Sequence, residues 1–317
     1  MVAAVETMAY AKEGGVPWHG LGVPVSSDLT PEQMLEKAGL DWEVEVRDMT
    51  VTGSDGEQIV VPGKKALYRS SDDKFFDVIG EDWNPLQNTE AFDFFNDFVA
   101  AGDMEMHTAG ALTDGSRVWA LAKVNDAFEV FKNDVVEQYL LFSNPHKYGQ
   151  TIDVKMTPTR VVCWNTLSMA LQGVTNYAVK VNHRRVFDAD EVKAQLGVAK
   201  EKLDTYKEAA QFLGSKRFTN DNIVEYFNRI FPVTSNAKGK ENAVSRNSKE
   251  AMEVLHTQPG AEFGAGTFWA AFNTVTYMTD HTLGRSDDTR LTSAWYGYNS
   301  KLKAKALETA IEMAEAA

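Results

Sequence analysis

The 317-residue chain has a single cysteine, Cys163, so an internal disulfide is excluded. No Cys/His set has the spacing of a zinc finger, and the six histidines are dispersed. Every long apolar run is broken by charge, and none approaches the roughly 20 residues that a membrane-spanning helix needs. The opening stretch MVAAVETMAYAKEGG lacks a basic start followed by a leucine-rich core, so no signal peptide is expected and a reducing cytoplasm is the expected compartment. There is no GxGxxG, no GxxxxGK[ST] and no HExxH; Gly63-Lys64-Lys65 has no glycine-rich loop before it. These absences remove the familiar dinucleotide, phosphate-loop and zinc-protease chemistries, and no cofactor is expected.

Positive charge is scarce as well. The net charge is −13, which by itself argues against a nucleic-acid partner. Its distribution says otherwise. Residues 1–100 hold 7 Lys/Arg against 19 Asp/Glu, whereas residues 139–186 hold Lys147, Lys155, Arg160, Lys180, Arg184 and Arg185 against Asp153 alone. That stretch interleaves its cations with Tyr139, Phe142, His146, Tyr148, Trp164, Tyr177 and His183. Cations neutralise phosphates, and aromatic faces stack unpaired bases without sequence preference. On a strand through YAVKVNHRR, Lys180, Asn182 and Arg184 share one face, and Tyr177, Val179, Val181 and His183 share the other. Trp164 and Phe142 read as core residues. The candidate nucleic-acid-binding set is therefore Lys147, Tyr148, Lys155, Arg160, Tyr177, Lys180, Arg184 and Arg185.

Local pattern predicts an α+β chain. Its strand-rich body spans residues 1–187, and a helical portion spans 188–317. The segment VPWHGLGVPV reads as an ordered arm. Thr30, Pro31, Gln33 and Gly39 predict a short capped helix. Strands are expected in WEVEVRDMTV, QIVVPGKKALYRS and KFFDVIG, with a turn at Ser54-Asp55-Gly56. A continuous helix is expected over Asn88–Ala100, ended by Gly102. Then come a hairpin of EMHTAGAL and RVWALAKV, strands in EQYLLFSN and TIDVKMTPTRVVCW, a helix capped by Asn165-Thr166, and a strand over Thr175–Val181. Beyond Phe187, a helix opens at Asp188–Glu191 and carries Val192, Leu196, Ala199, Leu203, Tyr206, Ala210 and Leu213 as a heptad seam. That seam either packs on its own domain or offers a surface for self-association. Helices are also expected over 219–231, 247–256, 266–281 and 300–315, with TSNAKGKENAVSRNS as a mobile loop.

Two further constellations have competing readings. Cys163, with His146 and Asp153 or Asp114, has the residue types of a nucleophile, base and orienter; in VVCW the thiol reads as buried and structural. Asn273 with Asp280-His281, after Gly264-x-Gly266-Thr267, is either a site or a set of core hydrogen-bond partners. The acidic pairs Asp72-Asp73, Glu81-Asp82 and Asp287-Asp288 read as solvated faces.

Four phrases together resemble a known family. They are Pro17–Gly22, Trp83–Phe92, Thr157–Leu167 and the tract Phe268–His281, with Arg-Val-Val-Cys-x-Asn-Thr-Leu the most specific piece. They resemble the phage/plasmid-like proteins known as domain of unknown function 932, over about residues 15 to 310. The resemblance implies a home on phages, prophages or plasmids and brings no catalytic residues. The element order, a helix, a three-strand meander over 104–143 and a later helix, is similar in topology to the αβββα core of single-strand annealing proteins. That likeness implies rings or filaments holding single-stranded DNA in a basic groove. The inserted strand TIDVKMTPTRVV and the acidic N-terminal third depart from it.

The leading expectation is a phage- or plasmid-type, ATP-independent protein that binds and anneals single-stranded DNA as a homo-oligomer, its basic stretches aligned along one track. One alternative is an enzyme built around His146, Asp153, Arg160 and Asn165 that acts on nucleic acid or nucleotides. Another is an acidic protein that engages a host protein as a nucleic-acid mimic.

Overall fold

The computed structural model describes residues 5–12, 22–112, 114–160, 165–166, 178–233, 244–284, 290, 293–294 and 297–317; the side chains of 159–160, 165–166 and 197–203 fall outside the description. The architecture is α+β, with strands concentrated before residue 182 and helices dominating after it. One sheet has the order β10-β9-β8-β7-β6-β1-β2, with β11 also paired to β9; a second sheet has the order β3-β4-β5. The strands are β1 (Val5–Ala11), β2 (Val23–Val25), β3 (Val44–Thr52), β4 (Gln58–Arg69), β5 (Lys74–Ile79), β6 (Met104–Leu112), β7 (Arg117–Glu129), β8 (Val135–Pro145), β9 (Thr151–Arg160), β10 (Asn165–Thr166) and β11 (Ala178–Asn182). Strands β6 to β9 are neighbours in chain order, which is the expected meander continued by one strand.

Two compact units divide the chain. The first contains Met1–Asn125, Tyr139–Lys155 and Ala178–Gly197. In it, α1 (Pro31–Lys37) has the expected capping box, with Thr30 accepting from the Gln33 backbone N–H and the Gln33 side chain accepting from Thr30 N–H. Gly39 ends the turn at φ +67°, a conformation that costs glycine no Cβ clash. In the β6–β7 hairpin, Leu112 pairs with Arg117 across Asp114 and Gly115, both at positive φ. Strand β1 lies so close to β6 that a Cβ at Gly110 would stand 2.5 Å from the Thr7 carbonyl oxygen. The continuous helix expected over 88–100 is instead α2 (Asn88–Asp93) and α3 (Asn96–Ala100). Phe92, Phe94 and Phe95 are all buried. On an unbroken helix Phe92 and Phe94 would point about 200° apart, so no single face could bury both. Breaking the helix at 94–95 sends all three inward, where Phe94 and Phe95 meet Phe142 at 5.2 and 6.1 Å between ring centroids.

The second unit contains Asp126–Gln138, Met156–Tyr177 and Val198–Ala317. Its core is helical, built from α5 (Asn220–Ile230), α6 (Arg246–Thr257), α7 (Phe268–Tyr277), α8 (Tyr298–Glu315) and the later part of α4 (Ala189–Ser215). Phe227, Phe268, Trp269, Phe272 and Leu307 are fully buried there. Three buried polar side chains show how such groups are matched. Tyr226 donates to the Ala306 carbonyl at 3.0 Å, Ser248 to the Phe227 carbonyl at 2.9 Å, and the Trp269 indole to Asp134 at 2.9 Å.

One local expectation changes and two are sharpened. In the heptad seam Val192, Tyr206, Ala210 and Leu213 are buried in the chain's own core, with Tyr206 against Phe128, so these positions offer no surface for self-association. Asn165-Thr166 form β10, antiparallel to Arg160-Thr159, rather than a helix cap; the helix expected to follow lies outside the described residues. Helix α6 begins at Arg246, one residue before the expected start, with Ser245 accepting from the Ser248 N–H as its cap; residues 234–243 of the expected loop lie outside the described residues. Asn273 and Asp280 of the last tract are core pieces, and His281 beside them is half-buried. Asn273 donates to the Trp269 carbonyl at 2.8 Å, and Asp280 pairs with Lys303 at 2.9 Å, both charges buried. Most of VPWHGLGVPV, and Cys163 and Trp164, lie outside the described residues.

Candidate nucleic-acid interface

Strand alternation and cross-strand register build one outward face in the first unit. In the antiparallel β9–β11 ladder Ala178 stands opposite Lys155, Lys180 opposite Asp153 and Asn182 opposite Thr151. Opposed residues share a face, so Lys155 and Lys180 lie on one side of the sheet with Asp153 between them. The burial pattern agrees: Lys180 and Asn182 are exposed, Val179 is buried, and Lys155 is half-buried. Asp153 accepts from the Thr151 hydroxyl at 2.9 Å.

Beyond β11 the chain reverses on Asn182. Its side-chain oxygen accepts from the Arg184 N–H at 3.0 Å, and its carbonyl accepts from the Arg185 N–H at 3.0 Å. This is the local turn chemistry asparagine favours. His183 points inward from the same turn. It stacks on Trp83 at 4.2 Å and 20°, its Nδ1 lies 3.2 Å from the Asn84 carbonyl, and its own carbonyl accepts from Asn84 N–H at 2.7 Å. Arg184 and Arg185 are thereby held outward.

A second loop follows the same plan. His146 is fully buried at the end of β8, between Trp42 and Phe76, and its N–H donates to the Ser116 carbonyl at 2.8 Å. The next residues, Lys147 and Tyr148, turn outward, Lys147 half-buried and Tyr148 54% exposed. The Tyr148 N–H donates to Asp77 at 3.0 Å, and its hydroxyl accepts from Arg184 at 3.4 Å. That contact joins two loops 36 residues apart in sequence.

Asn88 determines the state of His146. Its amide nitrogen donates to the Leu40 and Trp42 carbonyls at 3.0 and 3.2 Å. Its oxygen, 3.1 Å from His146 Nε2, must then accept, so His146 carries its proton on Nε2. Burial, with His183 nearby, pushes the His146 imidazole down to about 3. Burial also lowers His183, against the opposing effect of the Asn84 carbonyl. Both anchors are therefore neutral at neutral pH.

Two concavities adjoin the face and share Arg185 and Val186. One, of about 510 Å³, is lined by Arg185 with Pro85, Leu86, Phe94 and Phe187, but also by Glu90 and Asp93. The other, of about 350 Å³, sets Lys180 and Arg185 against Asp188 and Glu191. Carboxylates inside these concavities oppose a phosphate there; on the ladder face Asp153, which accepts from the Thr151 hydroxyl, sets a single carboxylate between Lys155 and Lys180.

Of the expected residues, Lys147, Tyr148, Lys155, Lys180, Arg184 and Arg185 belong to this unit, and Tyr148 and Arg184 are in contact. Arg160 lies at the end of β9, opposite Asn165, with its side chain outside the description, and Tyr177 lies outside the described residues. Sequence reasoning missed Asn88 and Asn84, the partners that hold the two anchoring histidines. Only the Asn182-His183-Arg184-Arg185 turn had a legible signal, an asparagine two residues before an arginine at a strand end. For the enzyme alternative, His146 is sealed in the core and lines neither concavity.

The model of a family described as a domain of unknown function (DUF932) matches residues 75–295, more than two thirds of the chain. The chain belongs to the DUF932 family. The matched span is narrower than residues 15 to 310 and contains every residue of the outward face. No curated protein and no solved structure matches the chain.

Proposed function

We propose that this DUF932 protein binds single-stranded DNA along the β9–β11 face and anneals strands without ATP, as an oligomer serving a phage or plasmid. The observation that carries this reading is Tyr148, 54% exposed with its hydroxyl against Arg184. Around it, Lys147, Lys180, Arg184 and Arg185 make no ion pair with a described residue, although the chain carries −13 overall and pairs Arg47, Lys65, Arg69, Lys193 and Arg229 elsewhere. Leaving cations unneutralised in an acidic protein favours an anionic partner, and an aromatic ring among them suits an unstacked base.

Anisotropy of a fluorescent oligonucleotide tests this. Binding should weaken steeply with salt, Arg184→Ala and Lys180→Ala should each reduce the salt slope by about one, and Tyr148→Ala should cost about 1–3 kcal/mol. No binding at low salt, or binding without salt dependence, overturns the proposal.

A further inference from the structure

The β3–β4 hairpin extends past the rest of its sheet. Strand β5 ends with Ile79 opposite Lys65, so among the described residues no strand flanks residues 58–62 of β4 on their outer side. Asp48 pairs with Lys65 and Thr50 with Val60, which makes Val61–Lys64 an insertion opposite Met49, with Gly63 at φ +71°. Past this bulge the chain is a two-stranded ribbon. Every residue from Thr50 to Val60 except Gly53 is exposed, including Val51 at 48%, Ile59 at 53% and Val60 at 52%. Isolated two-stranded ribbons are marginal in water, and an open, apolar, β-branched edge is a template for another strand.

Hydrogen-bond alternation shows which groups are offered. Gly53 N–H donates to the Glu57 carbonyl at 2.8 Å, so Glu57 and Ile59 face β3 while Gln58 and Val60 direct their N–H and C=O groups outward. Charge is arranged along the same edge. The turn holds Asp55 and Glu57, and the bulge at the other end holds Lys64, exposed and without an ion pair among the described residues.

We infer that two copies of this chain pair through these ribbons, β4 antiparallel to β4 about a two-fold axis near Ile59. Gln58 of one copy then exchanges N–H···O bonds with Val60 of the other, and the reverse. The acidic turn of each ribbon comes level with Lys64 of its mate, and the Val51–Ile59 stripe of one copy meets that of the other on one face of a four-stranded sheet. The second copy is the occupant because the edge is complementary to itself, acid at one end and lysine at the other. A contact this small, below about 1,200 Å², belongs with weak, reversible associations. It would supply the self-association in the annealing proposal by joining two DNA-binding faces.

Sedimentation without DNA tests the pairing separately from strand binding, so either can fail alone. The wild-type protein should populate a species of twice 35.2 kDa as concentration rises through the micromolar range. Val60→Pro removes an N–H directed away from β3 and should weaken dimerisation about tenfold or more, with the circular dichroism spectrum unchanged. Lys64→Glu and Glu57→Lys should each weaken it, and the double charge reversal should recover it, which keeps the test decisive if proline disturbs the ribbon. A wild-type protein that stays monomeric, a Val60→Pro protein that folds and dimerises normally, or a double reversal no better than the single ones overturns the inference.

Discussion

Lowering the pH should loosen the two buried histidines that anchor the interface loops. His146 titrates at 6.5 when unfolded and at about 3 when folded. Between those values the unfolded chain binds a proton that the folded chain refuses, so stability is fully present above 6.5 and is lost as pH falls toward 3. The slope is about 1.4 kcal/mol per pH unit, so lowering pH from 7.5 to 5.0 removes about 2 kcal/mol through His146. His183 is shifted the same way and adds to that loss. Against a typical total of about 5–15 kcal/mol, this is a large fraction. Asp72, held down to about 2 by the Arg69 guanidinium, is ionised in both states over this range and adds little to the comparison. Urea unfolding at the two pH values measures the loss. His146→Gln keeps an amide donor for Asn88 and removes the titration, so its pH-dependent loss should be smaller than wild type by about 2 kcal/mol, whatever its absolute stability. Equal losses in the two proteins would refute the account of His146 as a buried neutral anchor.

Three other substitutions probe the scaffold. Gly110→Ala places a methyl 2.5 Å from the Thr7 carbonyl oxygen and 3.2 Å from the Met8 Cα, so β1 must shift. A loss of about 1–3 kcal/mol is expected and an unchanged melting temperature would contradict it. Lys303→Met takes the ammonium from beside buried Asp280, 2.9 Å away, and should cost about 3–5 kcal/mol in a denaturant titration. Adding Asp280→Leu should recover most of that loss, since an apolar pair has no desolvation penalty. Thr219→Ala removes the oxygen that accepts the Asn222 N–H at the start of α5 and should cost about 1 kcal/mol by the same measurement.

Much of the α+β architecture was legible because its signals are short-range. The Thr30-x-x-Gln33 box, Pro31 and the left-handed Gly39 settle the ends of α1 within ten residues of chain. Period-two alternation placed Lys180 and Asn182 on one side of β11, and both are exposed; Arg184, expected on that side too, is exposed on the turn that follows the strand. The run of strands before residue 182 and of helices after it followed from the same kind of local pattern.

Long-range partners decided the rest. That Lys155 shares a face with Lys180 depends on β9–β11 register, and that Tyr148 meets Arg184 depends on two loops brought together by the sheet. The break at Phe94-Phe95 required a core able to take three phenylalanines from opposite sides of one helix. The heptad seam read first as core packing on its own domain, yet a partner surface stayed open, because periodicity specifies that a stripe is apolar and leaves open what covers it. The histidines show the same division. A sequence specifies an imidazole beside Lys147 or Arg184, whereas its neutral state comes from Asn88, Trp42, Phe76 and Trp83, which only folding brings near and whose burial of the ring excludes the water a charge would need.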